Sequence, residues 1–143
     1  HTYRTGTLLL LLGCLLFINC QKTTSVDYDE TRINTIFYKL KQAFNDKDIN
    51  NFMNYFHTDY LHKGQTRWMM REVWLDRMAE YLLIDFQNIS ISVQNSNAVV
   101  TFTMKLQKEN QTVFSDEPAA HGDISYFIYD NYDWSVYGDQ NPY

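Results

Sequence analysis

The chain has 143 residues, with 12 Lys and Arg against 17 Asp and Glu, for a net charge of −5. No basic stripe offsets that balance, so nucleic acid is excluded as a partner. Both cysteines, Cys14 and Cys20, stand in the first twenty residues. A domain made from the remainder has no disulfide and must rely on packing, for which 10 of the 11 Tyr, 8 of the 9 Phe and all 3 Trp supply the apolar mass.

Arg4 precedes an unbroken apolar run from Leu8 to Ile18, which turns polar after Asn19-Cys20. As a helix that run would rise about 16 Å, short of the roughly 30 Å hydrocarbon core of a bilayer. Residues 1–20 therefore read as an export signal. The pattern resembles a bacterial lipoprotein signal peptide, which implies cleavage before a cysteine that becomes acylated. Cys20 is the expected lipidation site because it marks the apolar-to-polar boundary, with Cys14 as the alternative. The resemblance implies an exported protein held to a bacterial membrane through the lipid, on its periplasmic or cell-surface side. Residues 21–30 then form a tether and 31–143 a single domain.

Helical spacing begins at Ile33 and continues through Ile36, Phe37, Leu40 and Phe44. Asn45-Asp46-Lys47 interrupts it, and Asp48 can cap a second helix carrying Ile49, Phe52, Met53 and Phe56. Tyr60 to Gly64 reads as a short strand or bend. Thr66 can cap a third helix in which Met70, Val73, Trp74, Arg77, Met78, Tyr81 and Leu82 keep the 3.6 period.

From Ile84 the period falls to two, and a phase slip at Gln87-Asn88 predicts a bulge that bends the strand. After a turn at Asn95-Ser96-Asn97, Ala98, Val100, Phe102, Met104 and Leu106 alternate with polar neighbours. Lys108 to Gly122 is less regular and extends that hairpin in part. A last hairpin joins Ile124–Tyr129 to Trp134–Tyr137, before a polar tail at 138–142. Helices first and strands later define an α+β class, with N-terminal helices packed on a curved antiparallel sheet.

Ala43-Phe44-Asn45-Asp46-Lys47-Asp48, followed by Phe52, Tyr55-Phe56, Asp59-Tyr60 and His62-Lys63-Gly64, is similar to the opening of nuclear transport factor 2-like domains. The third helix, the Ala98–Leu106 strand and the closing Trp134-Ser135-Val136-Tyr137-Gly138 resemble the same pattern. The resemblance implies a cone between helices and sheet with a pocket inside, and frequently a homodimer formed through the sheet. It spans isomerases, dehydratases and cyclases as well as domains that only bind, and fold alone does not choose among them.

Tyr38, Tyr60, His62, Trp68, Tyr126 and Trp134 are the candidate pocket residues, suited to a small apolar ligand with a few polar groups. An acid–base enzyme of this fold would need a carboxylate opposite a neutral donor. Asp59 and Asp123 are the nearest carboxylates, with Tyr38, Tyr60 and Tyr126 as donors, though both acids also suit turns. His57 and His62 lack a metal-ligand spacing, and no phosphate loop, nucleophile elbow or cofactor motif is present. The expectation is a tethered binding module for a small apolar ligand or a protein partner, without metal or cofactor. A small acid–base enzyme is the alternative.

Overall fold

The computed structural model describes residues 25–143, so the signal, Cys14, Cys20 and the first part of the tether lie outside the described residues. Helix α1 runs Ser25–Asn45 and buries Ile33, Ile36, Phe37, Leu40, Ala43 and Phe44 along one stripe. Its start corrects the tether reading: residues 25–30 are the helix's opening turns. Asp29 in those turns accepts a hydrogen bond from Trp134 Nε1 at 3.0 Å, which ties them to the end of the chain.

Lys47 takes a left-handed φ of 59° and turns the chain into α2, Ile49–Met53. Asp48 caps that helix by accepting from the Asn51 amide at 3.0 Å. Strands β1 (Leu61–His62) and β2 (Gln65–Thr66) make a miniature hairpin around Lys63-Gly64, both at positive φ. Thr66 caps α3, Arg67–Glu80, which buries Met70, Trp74 and Met78.

The five-stranded antiparallel sheet contains β3 (Leu83–Gln94), β4 (Asn97–Gln107), β5 (Thr112–Glu117), β6 (Tyr126–Asp130) and β7 (Asp133–Val136). One edge of β4 pairs with β3 along its length. Its other edge is shared, with β5 opposite Phe102–Gln107 and β6 opposite Asn97–Val99. The register of β3 slips between Gln87 and Ser90, with Asn88 at φ 53°, which places the bulge where the phase change in the sequence predicts it.

Phe37 joins the layers. Its ring lies 5.2 Å from Phe86, 5.0 Å from Phe102 and 5.7 Å from Phe127, so α1 touches β3, β4 and β6 through one side chain. Trp74 does the same for the helices, at 4.6 Å from Phe52 and 6.0 Å from Phe44. Full burial of such a ring contributes about 1.5–3 kcal/mol. The polar tail is docked on the hairpin of β1 and β2. Gly64 N donates to Asn141 O at 2.9 Å and Gln140 N to Leu61 O at 2.9 Å. At Gly138 (φ +75°) a Cβ would lie 2.1 Å from Leu61 O, so only glycine admits this approach.

Candidate functional site

One concentration of polar groups inside the fold lies where α3 meets the loop before β6. Arg77, on the buried side of α3, donates from Nη1 to Asp123 Oδ2 at 2.6 Å. Both side chains are withdrawn from solvent, Arg77 to 15% and Asp123 to 4% exposure. The same guanidinium lies 4.4 Å from the centre of the Trp74 ring. Tyr60, at the end of the loop after α2, donates its hydroxyl to the Asp123 carbonyl at 2.9 Å. Burial raises the Tyr60 pKa far above its ordinary value, with the Asp123 charge adding to it, so the phenol stays neutral.

Three atoms near this pair are buried without a hydrogen-bond partner among the described residues: Trp74 Nε1, Asp123 Oδ1 and Ser125 Oγ. Buried polar groups are normally satisfied, which sets this corner of the core apart. It does not form the pairing an isomerase needs. One carboxylate oxygen is held by a guanidinium, and the Tyr60 hydroxyl is held by a main-chain carbonyl.

A second cluster stands beside it. His62 is buried, donating from Nε2 to His121 O at 2.8 Å and accepting at Nδ1 from the Asp139 amide at 3.3 Å. Nε2 is a donor because its partner is a carbonyl, and Nδ1 also lies 3.3 Å from Asp139 Oδ1. Tyr126 is half-buried with its ring 6.0 Å from His62. Glu117 is also buried, and its oxygens accept from Ser115 Oγ, His121 Nδ1 and the amides of His121 and Gly122. Burial pushes the Glu117 pKa up, but His121 and the two amides outweigh it and hold the carboxyl below its usual range.

Of the six expected pocket residues, His62 and Tyr126 are neighbours, while Tyr60 belongs to the Asp123 cluster. Trp134 is buried apart from them, bonded to Asp29 under the start of α1. Tyr38 and Trp68 correct the expectation of a common lining. Tyr38 is exposed on α1, accepts from Gln42 Nε2 at 2.9 Å, and borders a surface groove of about 200 Å³ with Lys41 and Phe86. Trp68 is 70% exposed at the start of α3. Asp59 is an exposed turn residue whose amide donates to His57 Nδ1 at 3.0 Å. Arg77 was legible only as a member of the helical stripe. A charged residue on an apolar stripe was itself the signal, because a buried cation requires a partner.

The interior between helices and sheet is filled by Phe37, Phe44, Phe52, Met70, Trp74 and Met104, each below 2% exposure. Among the described residues no group of three His, Cys, Asp or Glu is placed to hold a metal, and no helix is long and apolar enough to cross a membrane.

No family model matches the sequence, and no curated protein matches it. Solved structures do. A nuclear transport factor 2-like protein of unknown function from Pseudomonas putida aligns with TM-score 0.63 at 12% identity, over 79% of this chain and 84% of that one. A protein of unknown function with a cystatin-like fold from Nostoc punctiforme aligns with TM-score 0.60 at 10% identity, over 78% and 87%. A putative dehydratase of the same fold group from Streptomyces avermitilis aligns with TM-score 0.55 at 14% identity, over 78% and 93%. The chain has the nuclear transport factor 2-like α+β fold, with helices on a five-strand antiparallel sheet.

Proposed function

We propose that this protein is an exported, membrane-tethered interaction module whose working surfaces lie outside the cone. The observation that carries this reading is the filled interior. Phe37, Phe44, Phe52, Met70, Trp74 and Met104 occupy the space an apolar ligand would need. The tether rests on the sequence before residue 21, where a charged start, an apolar run and Cys20 follow one another.

A second reading, a small acid–base enzyme like the putative dehydratases of this fold, is favoured by Asp123 Oδ1, buried and without a partner. The Arg77 contact opposes it, because the other oxygen is already engaged.

The test is labelling of the whole chain with a radioactive fatty acid in a bacterial host, followed by native mass spectrometry of the purified protein. Label lost in Cys20→Ala and kept in Cys14→Ala, with no tightly held apolar molecule in the cone, is the expected result. A stoichiometric apolar ligand, or a substrate whose turnover disappears in a folded Asp123→Asn variant, would overturn it.

A further inference from the structure

We propose that the N-terminal end of α3 seats against an anionic phospholipid surface, with Trp68 and Met69 entering the interface and Arg71 and Arg67 meeting the phosphates. The proposal rests on the membrane-tethered reading above and gives the tethered domain a face toward the bilayer.

Trp68 and Met69 are neighbours on the first turn of α3 and are 70% and 52% exposed. A large indole and a thioether left in water side by side are unusual for a chain that packs its other two tryptophans at 0% and 3% exposure. Trp68, Arg67, Arg71, Thr58 and Thr66 surround an open concavity of about 320 Å³. The Arg71 guanidinium lies 5.7 Å from the centre of the Trp68 ring, so cation and indole are presented together.

Charge placement at the start of α3 runs against the helix dipole. A helix start favours acids and its end favours bases. Here the first turn contains no acidic residue and Arg67 and Arg71 stand near the positive pole, whereas the last turn carries Arg77 as the rule expects. Arg67 has a structural share in this arrangement, since it donates to Met53 O at 2.8 Å and Phe56 O at 3.3 Å. Those carbonyls leave its charge uncancelled. Arg71 reaches only Glu72 among the described residues, at 3.3 Å, in an exposed pair.

A tryptophan flanked by arginines, on a protein of net charge −5, is suited to the boundary between headgroups and acyl chains. Glu72 beside Arg71, and Asp76 and Glu80 farther along the exposed side of α3, would be repelled by the same surface and confine contact to the end of the helix that carries Trp68. An acidic protein offers the same charge. The tether favours the bilayer, because it already holds the domain there.

The experiment mixes the full chain with vesicles of phosphatidylcholine alone or containing phosphatidylglycerol, with brominated acyl chains. Trp74 and Trp134 are buried, so quenching reports Trp68. Quenching on the anionic vesicles is expected, decreasing with salt and absent in Trp68→Phe. Arg71→Gln should weaken partition of unacylated protein about five-fold, with the far-ultraviolet circular dichroism of both variants unchanged.

Unquenched Trp68 on anionic vesicles, equal quenching on neutral vesicles, or crosslinking of this face to an acidic protein without quenching would each overturn the proposal. An acylated protein with unquenched Trp68 removes the patch and keeps the tether. An unacylated protein that is still quenched removes the tether and keeps the patch.

Discussion

Glu117 and Asp123 are buried carboxylates at the two ends of one loop, and their surroundings differ in completeness. Glu117 has four donors, two side chains and two amides, shared between its oxygens. Asp123 has Arg77 on Oδ2 and nothing among the described residues on Oδ1, with Trp74 Nε1 and Ser125 Oγ similarly unpartnered. The first arrangement closes a loop onto the end of β5 and leaves no capacity for anything else. The second holds α3 against the loop before β6 and leaves buried donors and acceptors without a partner among the described residues. The difference teaches that burial of a charge does not by itself identify a working site, because two buried acids of one loop differ in how completely they are satisfied.

The largest expected effect separates the two acids by breaking the ion pair. Arg77→Met keeps much of the packing on Trp74 but leaves Asp123 buried and unpaired. A loss of about 3–5 kcal/mol is expected from urea unfolding. The double variant Arg77→Met with Asp123→Leu should recover most of it, since an apolar pair of similar volume removes the stranded charge. A single-variant loss below about 1 kcal/mol would mean that the pair is already hydrated, and the contrast with Glu117 would disappear.

Glu117→Gln comes next, at about 1.5–3 kcal/mol, because an amide cannot accept all four bonds. The pH dependence follows from linkage. The Glu117 pKa is depressed in the folded protein, so the unfolded chain takes up the proton first as pH falls. The stabilisation is fully present above the ordinary glutamate range and is lost as pH falls through the lower folded value. Thermal melts from neutral pH down into the acid limb should show Glu117→Gln with the flatter profile. Equal slopes would mean that Glu117 contributes nothing to acid sensitivity.

How far this site was legible in sequence depended on the range of the interactions. Helix α1 was visible where Ile33 to Phe44 form a stripe, and its opening turns were missed because Ser25, Val26, Asp27 and Tyr28 are exposed and show no apolar period. The bulge in β3 was visible as a phase change, since a period-two pattern cannot conceal an inserted residue. Strand β5 was only partly visible because its short run leaves Phe114 exposed and Ser115 half-buried. The ion pair was not legible. Arg77 and Asp123 are 46 positions apart, and no local pattern records a contact of that separation. The docked tail was hidden for the same reason, since its polarity suits solvent equally well and only its bonds to residues 61–64 place it.

The smallest effect is the sharpest comparison, because it asks the same chemical question on both sides of the loop. Ser115 donates to Glu117 Oε1 at 3.1 Å, whereas Ser125 is fully buried and its hydroxyl has no partner among the described residues. Ser115→Ala should therefore cost about 0.5–1.5 kcal/mol, the net value of an ordinary hydrogen bond. Ser125→Ala removes a hydroxyl whose desolvation nothing offsets, so its stability should be unchanged or raised by up to about 1 kcal/mol. Unfolding curves measured together under one set of conditions resolve a difference of this size. If both alanines destabilise alike, the Ser125 hydroxyl is engaged in solution, and the corner around Asp123 is as completely satisfied as the one around Glu117.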